Sequence, residues 1–310
     1  MKKLLLMLLV SVFSRSYAAQ TGAEFLKIDT DARAVSMGSA FTAAADGINS
    51  LGYNPAGLAS IKSTELGFSH TNWLMDSRHD FIGIGMPVGA RRAGNGARGG
   101  GAMGLGITRL SNSDMEVRNA DRSAGGSFSS YDQAVTLGFA AGSSGMRGWG
   151  LGVAVKYIES SIAGEKARAA AADLGLNRAF RSMPVTLGLS VQNLGTPLKY
   201  ISQKDPLPLT LAAGLAVGII PGVNLAMDVK RSVYDRRTTV SVGSEYAVIP
   251  ALSLRAGFMM NGASGNKAGG VNGNFSAGAG LNFWGMNMDY AMQPYGDLGN
   301  TQKITLRKKF

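Results

Sequence analysis

The chain has 310 residues, no cysteine and 43 glycines, and charged residues make up 16% of it. The lack of cysteine excludes disulfides and thiolate metal sites, and glycine is about twice as frequent as the roughly 7% of average proteins. The net charge of +11 becomes +8 without Lys2, Lys3 and Arg15. Because this charge is dispersed and forms no basic helix, composition argues against nucleic-acid binding and suits attraction to anionic lipid headgroups.

The first residues have the pattern of an export signal. Lys2 and Lys3 give a positive start, residues 4–13 form an apolar core, and residues 16–18 (SYA) match a small-x-small cleavage site. About 20 residues are needed to cross a bilayer as a helix, so this core is too short to be an anchor. We expect residues 1–18 to be a signal peptide, cleaved after Ala18 or Ala19. A retained anchor is the alternative.

Residues 19–63 lack any strand-like alternation and form a separate region. The pattern predicts a helix over 32–45 and a turn over 46–50. It is followed by Asn54, Pro55, Ala56 and Gly57, where Asn-Pro initiates a turn and Gly57 permits a positive φ. This region precedes residues 64–310, which have a different pattern.

From residue 64 onward the hydrophobic pattern has a period of two. In residues 223–230 the odd positions are apolar and the even positions are small or polar, and the same alternation recurs in 149–157 and 185–192. An amphipathic helix would instead repeat its apolar residues every three or four positions. We therefore predict about fourteen strands, near 64–70, 79–88, 100–110, 131–141, 148–160, 168–178, 183–194, 207–219, 223–232, 237–247, 251–260, 273–283, 285–293 and 302–310.

The connections between these strands alternate in length. Short turns are predicted at 220–222, at 248–250 and around Arg181, and longer loops at 111–130, 195–206, 261–272 and 294–301. Short periplasmic turns and long external loops are typical of outer-membrane barrels. The connection at 89–99 is an exception, since it is long, basic and on the short-turn side. An even number of strands places both ends of the barrel, and by expectation both chain termini, on the periplasmic side.

A soluble β-sandwich or a lipocalin-like barrel would show a similar alternation. The polar face favours a membrane barrel, because it carries charges among many glycines and alanines, as a polar lumen would. Fourteen strands also enclose a space too wide for small side chains to fill. We therefore interpret residues 19–63 as a hatch or plug at the periplasmic end of the barrel formed by residues 64–310. The fold class is therefore all-β, a transmembrane antiparallel β-barrel. The predicted lumen-lining residues are Lys156, Asp228, Lys230, Glu245, Arg255, Asp289 and Arg307.

The last strand ends on an aromatic residue. Its alternation turns Ile304, Leu306 and Phe310 toward lipid, and we interpret these three residues as the signal read by the barrel-assembly machinery.

Motifs along the whole mature chain resemble the PorV/PorQ (UPF0164) outer-membrane proteins, which are relatives of the FadL-type channels for hydrophobic compounds. The motifs are TGAEFLKI at 21–28, DARA at 31–34, MGSAFTAAAD at 37–46, NPAGLA at 54–59, VKYI at 155–158, IAGE at 162–165, LSVQNLG at 189–195, LPLT at 207–210, LRAG at 254–257, DYA at 289–291 and YGDLG at 295–299. Lys308 departs from the family pattern, which usually has an outward apolar residue there.

The resemblance implies a FadL-like fourteen-stranded barrel with an N-terminal hatch that contains residues 54–56. It also implies a non-enzymatic role in the outer membrane of a Gram-negative-type bacterium. The first functional interpretation is a passive channel or binding protein for hydrophobic small molecules. The alternative is an adaptor in type IX protein secretion, as PorV-type members are, or an envelope scaffold. Expected partners are outer-membrane lipid or lipopolysaccharide, a hydrophobic ligand, the assembly machinery and, for the alternative, secretion-system proteins.

No catalytic, cofactor or metal site is predicted. Residues 94–99 match G-x-G-x-x-G, but they precede a strand and not the helix that a dinucleotide site needs. His70 and His79 lack a carboxylate at ligand spacing and are interpreted as loop residues. Ser, His and Asp occur without a nucleophile elbow.

Overall fold

The computed structural model describes residues 21–89, 100–112, 115–119, 121–142, 148–180, 182–261, 267–268 and 271–310. Fourteen long strands, numbered here β1 to β14, dominate this part of the chain. They are β1 Glu65–Asn72, β2 Arg78–Val88, β3 Gly101–Ser111, β4 Ser130–Gly142, β5 Trp149–Ile162, β6 Glu165–Ala179, β7 Val185–Gly195, β8 Thr210–Ile220, β9 Val223–Ser232, β10 Arg237–Ile249, β11 Leu252–Asn261, β12 Val271–Phe283, β13 Met286–Pro294 and β14 Asn300–Lys309.

The fourteen strands close into a ring. Each strand pairs antiparallel with the next, and β1 pairs with β14 from Glu65 opposite Lys309 to Asn72 opposite Gln302. Ring closure leaves no unpaired edge, which is what a lipid environment demands of β-structure. The predicted fourteen-stranded antiparallel barrel is confirmed, and the predicted strands differ from the observed ones by only a few residues at each end.

Apolar side chains point away from the ring. Phe68, Val155 and Leu189 are 44%, 57% and 52% exposed, whereas neighbouring positions on the opposite face are buried. A soluble barrel would place its apolar residues inside, so this arrangement is that of a barrel that contacts lipid. Ile304 and Phe310 also point outward, and the amine of Lys308 donates to the carbonyl of Trp284.

The two ends of the barrel differ. One end, called the turn end here, carries the tight turns at 221–222, 250–251 and 284–285, and there the amide of Phe310 donates to the carbonyl of Thr64. The other, called the loop end, carries the hairpins Met115–Arg118 with Ala124–Phe128 and Leu198–Tyr200 with Gln203–Asp205. The connection at 163–164 is an exception, since it is short and lies at the loop end. Arg181, residues 90–99 and residues 262–266 lie outside the described residues.

Residues 21–63, called the N-terminal segment here, lie inside the ring. Their elements are Glu24–Lys27, Ala32–Ser36, Ile48–Gly52 and Pro55–Ser60. Side chains of the segment pack against inward alanines of the wall, as Ile48, Leu51 and Leu58 do against Ala102, Ala140 and Ala154. In the described ranges, no helix is long and apolar enough to cross a membrane.

The path of the N-terminal segment differs from the expectation. The amide of Gly22 donates to the carbonyl of Pro206 at 2.9 Å, and the Lys27 amine lies 2.5 Å from a carboxylate oxygen of Asp235, so both residues are at the loop end. The segment then descends and joins β1 at the turn end. It therefore occupies the whole height of the lumen, and the expectation that it lies only at the end with the short turns is wrong.

The predicted helix over 32–45 is also shorter than expected. It ends at Ser36, because Gly38 and Ser39 adopt φ values of 63° and 65°, which a right-handed helix cannot contain. Gly57 does not have the predicted positive φ. It is needed for space, since a Cβ there would lie 2.5 Å from the carbonyl oxygen of Ala45 and 2.6 Å from the Cβ of Ser50.

The topology can be tested with single cysteines and a membrane-impermeant thiol reagent on intact cells. We expect Ser123→Cys at the loop end to be labelled and Pro221→Cys at the turn end to be protected. Glu24→Cys should also be labelled, because the N-terminal segment reaches the loop end. Labelling of Pro221→Cys alone would reverse the orientation, and protection of Glu24→Cys in a chain labelled at Ser123→Cys would contradict the path of the segment.

The last residue allows a test of assembly. Deletion of Phe310 removes an exposed aromatic group from the end of β14, and we expect several-fold less folded, heat-modifiable barrel in the membrane fraction while export continues. Phe310→Tyr keeps an aromatic ring at the same position and serves as the matched control. Equal amounts of folded barrel from the deletion and the control would show that this strand end is not the assembly signal.

Candidate functional site

The N-terminal segment contacts the barrel wall closely through glycines. A Cβ on Gly257 would lie 2.0 Å from the amide nitrogen of Gly38, and one on Gly152 would lie 2.2 Å from that of Ala56. Because no side chain larger than hydrogen fits between these backbones, the inward glycines let the segment lie directly on the sheet. The high glycine content thus has a structural cause inside the lumen.

Asp228 holds the middle of the segment. Its carboxylate accepts hydrogen bonds from the amides of Phe41 and Thr42 at 2.9 and 2.8 Å, and from the Thr42 hydroxyl at 2.6 Å. The neighbouring inward residue Lys230 donates to the carbonyl of Ser39 at 2.8 Å. A charged acceptor that binds backbone amides makes stronger hydrogen bonds than a neutral one. Asp228 therefore fixes the chain just after the short helix.

Six charged groups form a closed ring of alternating sign between the segment and the wall. Arg33 contacts Glu245 at 2.7 Å and Asp46 at 3.1 Å. On the wall, Arg255 contacts Glu245 and Asp289, each at 2.7 Å. Arg307 completes the ring with Asp46 at 3.0 Å and Asp289 at 3.9 Å. Three cations and three anions balance, so the interior gains no net charge from this ring.

The segment's two members of this charge ring stay ionised. Burial alone would raise the pKa of Asp46, but the nearby Arg307 and Arg33 outweigh burial and hold that pKa below its ordinary value. Burial alone would lower the pKa of Arg33, but Asp46 and Glu245 outweigh it and raise that pKa above its ordinary value. Since the folded pKa of Asp46 is depressed, its contribution to stability is present at neutral pH and is lost as the pH falls through that value.

Asn54 ties the turn of the segment to the wall. Its side-chain amide donates to the Thr42 carbonyl at 2.9 Å and to Oδ1 of Asn177 at 2.7 Å, while its own Oδ1 accepts from the amide of Ala56 at 3.1 Å. Pro55 follows as the first residue of the helical turn Pro55–Ser60. Arg255, a predicted lumen-lining residue, binds Glu245 and Asp289 and takes no part in the described hydrogen bonds of Asn54.

A separate buried ion pair lies where β6 and β7 lose their register. Lys156 contacts Asp173 at 2.7 Å, and Asp173 also accepts from the amide of Asn193 at 2.7 Å. The pairing shifts between Ala172 and Leu174, and Asn193 has a φ of 60°. Lys156 therefore stabilises an irregular part of the wall and does not face open space.

The structure places all seven predicted lumen-lining residues on the inner face. Most of them contact the N-terminal segment or one another, so they form an interface more than an open channel. Sequence reasoning missed Arg33 and Asp46, the segment's members of the charge ring. Two charged residues within a stretch of small residues were a signal that could have suggested them.

Two cavities lie at opposite ends of the segment. The turn-end cavity has a volume of about 900 Å³ and is lined by residues that include Arg33, Asp46 and Ala56. The loop-end cavity has a volume of about 810 Å³ and is lined by residues that include Phe25, Tyr53 and Lys303. The segment between them separates the two spaces.

The two histidines do not form a site. His70 points outward from β1 and pairs with Asp80 at 2.6 Å, whereas His79 is buried on the inner face of β2. They are strand residues and not loop residues as expected, and they face opposite sides of the sheet. In the described ranges, no group of three or more His, Cys, Asp or Glu side chains could hold a metal ion.

Residues 11–99 match the model of the Uncharacterised protein family (UPF0164), as the resemblance predicted for that region. Over nearly its whole length the chain is similar to the Pseudomonas putida toluene transporter TodX, with 13% identity, coverage of 96% of this chain and 97% of that chain, and a TM-score of 0.61. The chain has a FadL-type barrel fold.

Other solved structures agree with this fold. The monoaromatic hydrocarbon channel CymD is 13% identical, with coverage of 89% of this chain and 96% of that chain, and a TM-score of 0.61. A FadL homologue from Pseudomonas aeruginosa is 10% identical, with coverage of 94% and 99% and a TM-score of 0.50. No curated protein matches the chain significantly. At these identities the likeness is one of fold.

The charge ring predicts the effect of one substitution. Glu245→Gln leaves Arg33 and Arg255 without their shared carboxylate, and loss of one partner of a buried ion pair costs about 3–5 kcal/mol. We expect a clearly lower temperature for loss of the heat-modifiable band on gels. Glu165→Gln, at an exposed hairpin position, should change stability by less than about 0.5 kcal/mol. Equal transition temperatures for the two variants would contradict a stabilising role of the ring.

Proposed function

We propose that the chain is an outer-membrane channel for hydrophobic small molecules, in which residues 19–63 act as the plug. Residues 1–18 serve as the signal peptide, the turn end faces the periplasm and the loop end faces outside. The outward apolar surface contacts lipid and lipopolysaccharide, and the strand that ends in Phe310 is the part read by the assembly machinery. A PorV/PorQ-type identity is part of this proposal and rests on the UPF0164 match over residues 11–99.

The observation that carries the proposal is the arrangement of two cavities with the N-terminal segment between them. A solute that enters at the loop end meets the segment before it can reach the turn-end cavity. The segment is anchored by discrete polar contacts, namely the charge ring, Asp228 and Asn54. Such contacts can break and reform while the inter-strand hydrogen bonds of the barrel persist, because lipid offers those bonds no exchange partner. Displacement of the segment is therefore the gating step.

Fold similarity supports transport over catalysis. The similar solved structures named above are a toluene transporter and a monoaromatic hydrocarbon channel. In the proposed role the protein lowers the barrier to passage of a solute across the outer membrane and performs no chemistry on it.

A secretion-adaptor role is the second candidate. The hairpin formed by Met115–Arg118 and Ala124–Phe128 projects from the loop end, and all four residues of its first strand are exposed, Met115 and Val117 among them. Exposed apolar side chains on a projecting loop suit contact with another protein. Other loop-end connections of the described residues, such as those at 163–164 and 233–236, are short, which favours the channel.

The channel proposal is tested by freeing the plug. Asn54→Ala combined with Pro55→Ala removes the amide contacts to Thr42 and Asn177 and releases the fixed φ of Pro55. We expect a folded barrel with several-fold faster uptake of a hydrophobic probe, or a higher single-channel leak in planar bilayers.

The matched control is Asn282→Ala with Pro250→Ala, since both residues are exposed at the turn end. It should behave like the parent protein. If the Asn54 and Pro55 variant also folds, conducts and transports like the parent, the segment is a passive filler and the adaptor role gains support.

A further inference from the structure

The loop-end cavity carries an excess of positive charge. Five cationic side chains line it, against three carboxylates. The cations are Lys27, Lys230, Arg236, Arg237 and Lys303, and the carboxylates are Glu24, Asp29 and Asp235. Glu24 and Asp235 both contact Lys27, so much of the acidic charge is used at the rim. A cavity for neutral hydrocarbons alone has no physical need of this excess, because a buried cation costs free energy unless it is compensated.

The hydrogen bonds described for the amines of Lys303 and Lys230 go to backbone oxygens, and the Lys230 amine also lies 5.7 Å from the centroid of the Tyr53 ring. Lys303 is 2% exposed and donates to the carbonyl of Asp29 at 2.5 Å, while Lys230 donates to the carbonyl of Ser39 at 2.8 Å. Among the described residues, neither amine has a carboxylate within 4.0 Å. The nearby carboxylate of Asp29 accepts from the Ser39 hydroxyl. The two ammonium groups are therefore incompletely compensated by the protein.

A second observation points to an acceptor-bearing ligand at the same place. Thr71 is fully buried, lines the cavity and is the cross-strand neighbour of Lys303, and its hydroxyl has no hydrogen-bond partner. His79, directly opposite Thr71 on β2, is 1% exposed, and neither of its ring nitrogens has a partner. Buried polar groups are normally satisfied. A ligand oxygen beside Lys303 and Thr71 would supply the missing acceptor.

Two aromatic side chains also line the cavity that contains Lys303 and Thr71. Trp73 and Tyr295 line the cavity and pack edge to face, with ring centroids 5.4 Å apart. They lie on the two connections that adjoin β1 and β13, the strands on either side of β14, which carries Lys303. The aromatic ring of a ligand would pack favourably against these two side chains through offset or edge-to-face contacts. The cavity of about 810 Å³ is large enough for a one- or two-ring ligand.

We propose that the loop-end cavity binds an aromatic carboxylate, with its carboxylate near Lys303, Lys230 and Thr71 and its ring against Trp73 and Tyr295. This inference rests on the proposed channel function and names its substrate class. It sets the chain apart from the similar structures, which are a toluene transporter and a monoaromatic hydrocarbon channel.

The test uses 2-naphthoate and its neutral isostere 2-naphthamide as probes, measured by calorimetry on the full-length protein in lipid nanodiscs, with empty nanodiscs subtracted. We expect 2-naphthoate to bind at least about tenfold more tightly than 2-naphthamide. Lys303→Gln should remove this preference and leave 2-naphthamide binding within about twofold. Lys303→Arg keeps the positive charge and should retain the preference, and Lys308→Gln on the outer face is the matched control.

Three results would overturn the inference. One is equal binding of the two probes by the parent protein. Another is an unchanged preference in folded Lys303→Gln, and the third is binding of octanoate as tight as that of 2-naphthoate, which would remove the aromatic requirement. If Lys303→Gln does not fold, Lys230→Gln replaces it with the same expectation.

Failure of this inference and failure of the channel proposal can be told apart by uptake into cells. Uptake of a neutral hydrocarbon through the parent protein, together with equal binding of the two probes, keeps the channel and rejects the carboxylate site. Lys303-dependent binding of 2-naphthoate without uptake of any probe keeps the site and rejects the channel.

Discussion

Backbone polar groups in lipid must find their hydrogen-bond partners within the protein, and this constraint determines much of the structure. It requires the fourteen strands to close into a ring through the pairing of β1 with β14. A ring of that size encloses more volume than its inward alanines and glycines can fill. The same small residues then allow the N-terminal segment to lie against the sheet, as at Gly152 and Gly257. The size of the barrel, its glycine content and the internal segment therefore depend on one another.

Charge inside the barrel is distributed unevenly. Near the turn end, Arg33, Asp46 and their four wall partners balance one another in charge, which suits a stable interface between the segment and the wall. At the loop end, the amines of Lys230 and Lys303 donate to backbone carbonyl groups and form no ion pair with a carboxylate of the described residues. In a medium of low effective dielectric constant these two arrangements differ strongly in energy. The contrast separates a region built for stability from one that remains open to a ligand.

Much of the barrel could be predicted from the sequence, because strand alternation is a local property. Residues 223–230 show the period of two without knowledge of their neighbours, and the inward position of Asp228 follows directly from it. The path of the N-terminal segment could not be predicted in this way. Arg33 and Glu245 are 212 positions apart, and no periodicity relates them. Gly57 is a second example of a role that depends on contacts outside its own turn. Its sequence context predicted a positive φ, but the glycine is needed because it packs closely against Ala45 and Ser50.

The pairing of β1 with β14, which closes the ring, has a consequence for folding. Thr64, the residue that follows the N-terminal segment, accepts a hydrogen bond from the amide of Phe310 at the other end of the strand region. The pairing that completes the ring is therefore also the one with the greatest separation along the chain, and such contacts form slowly because of their entropic cost. Until they form, the sheet is an open, curved surface on which the segment can settle from the side. Because the segment leads directly into β1, its enclosed position in the finished molecule depends on this pairing.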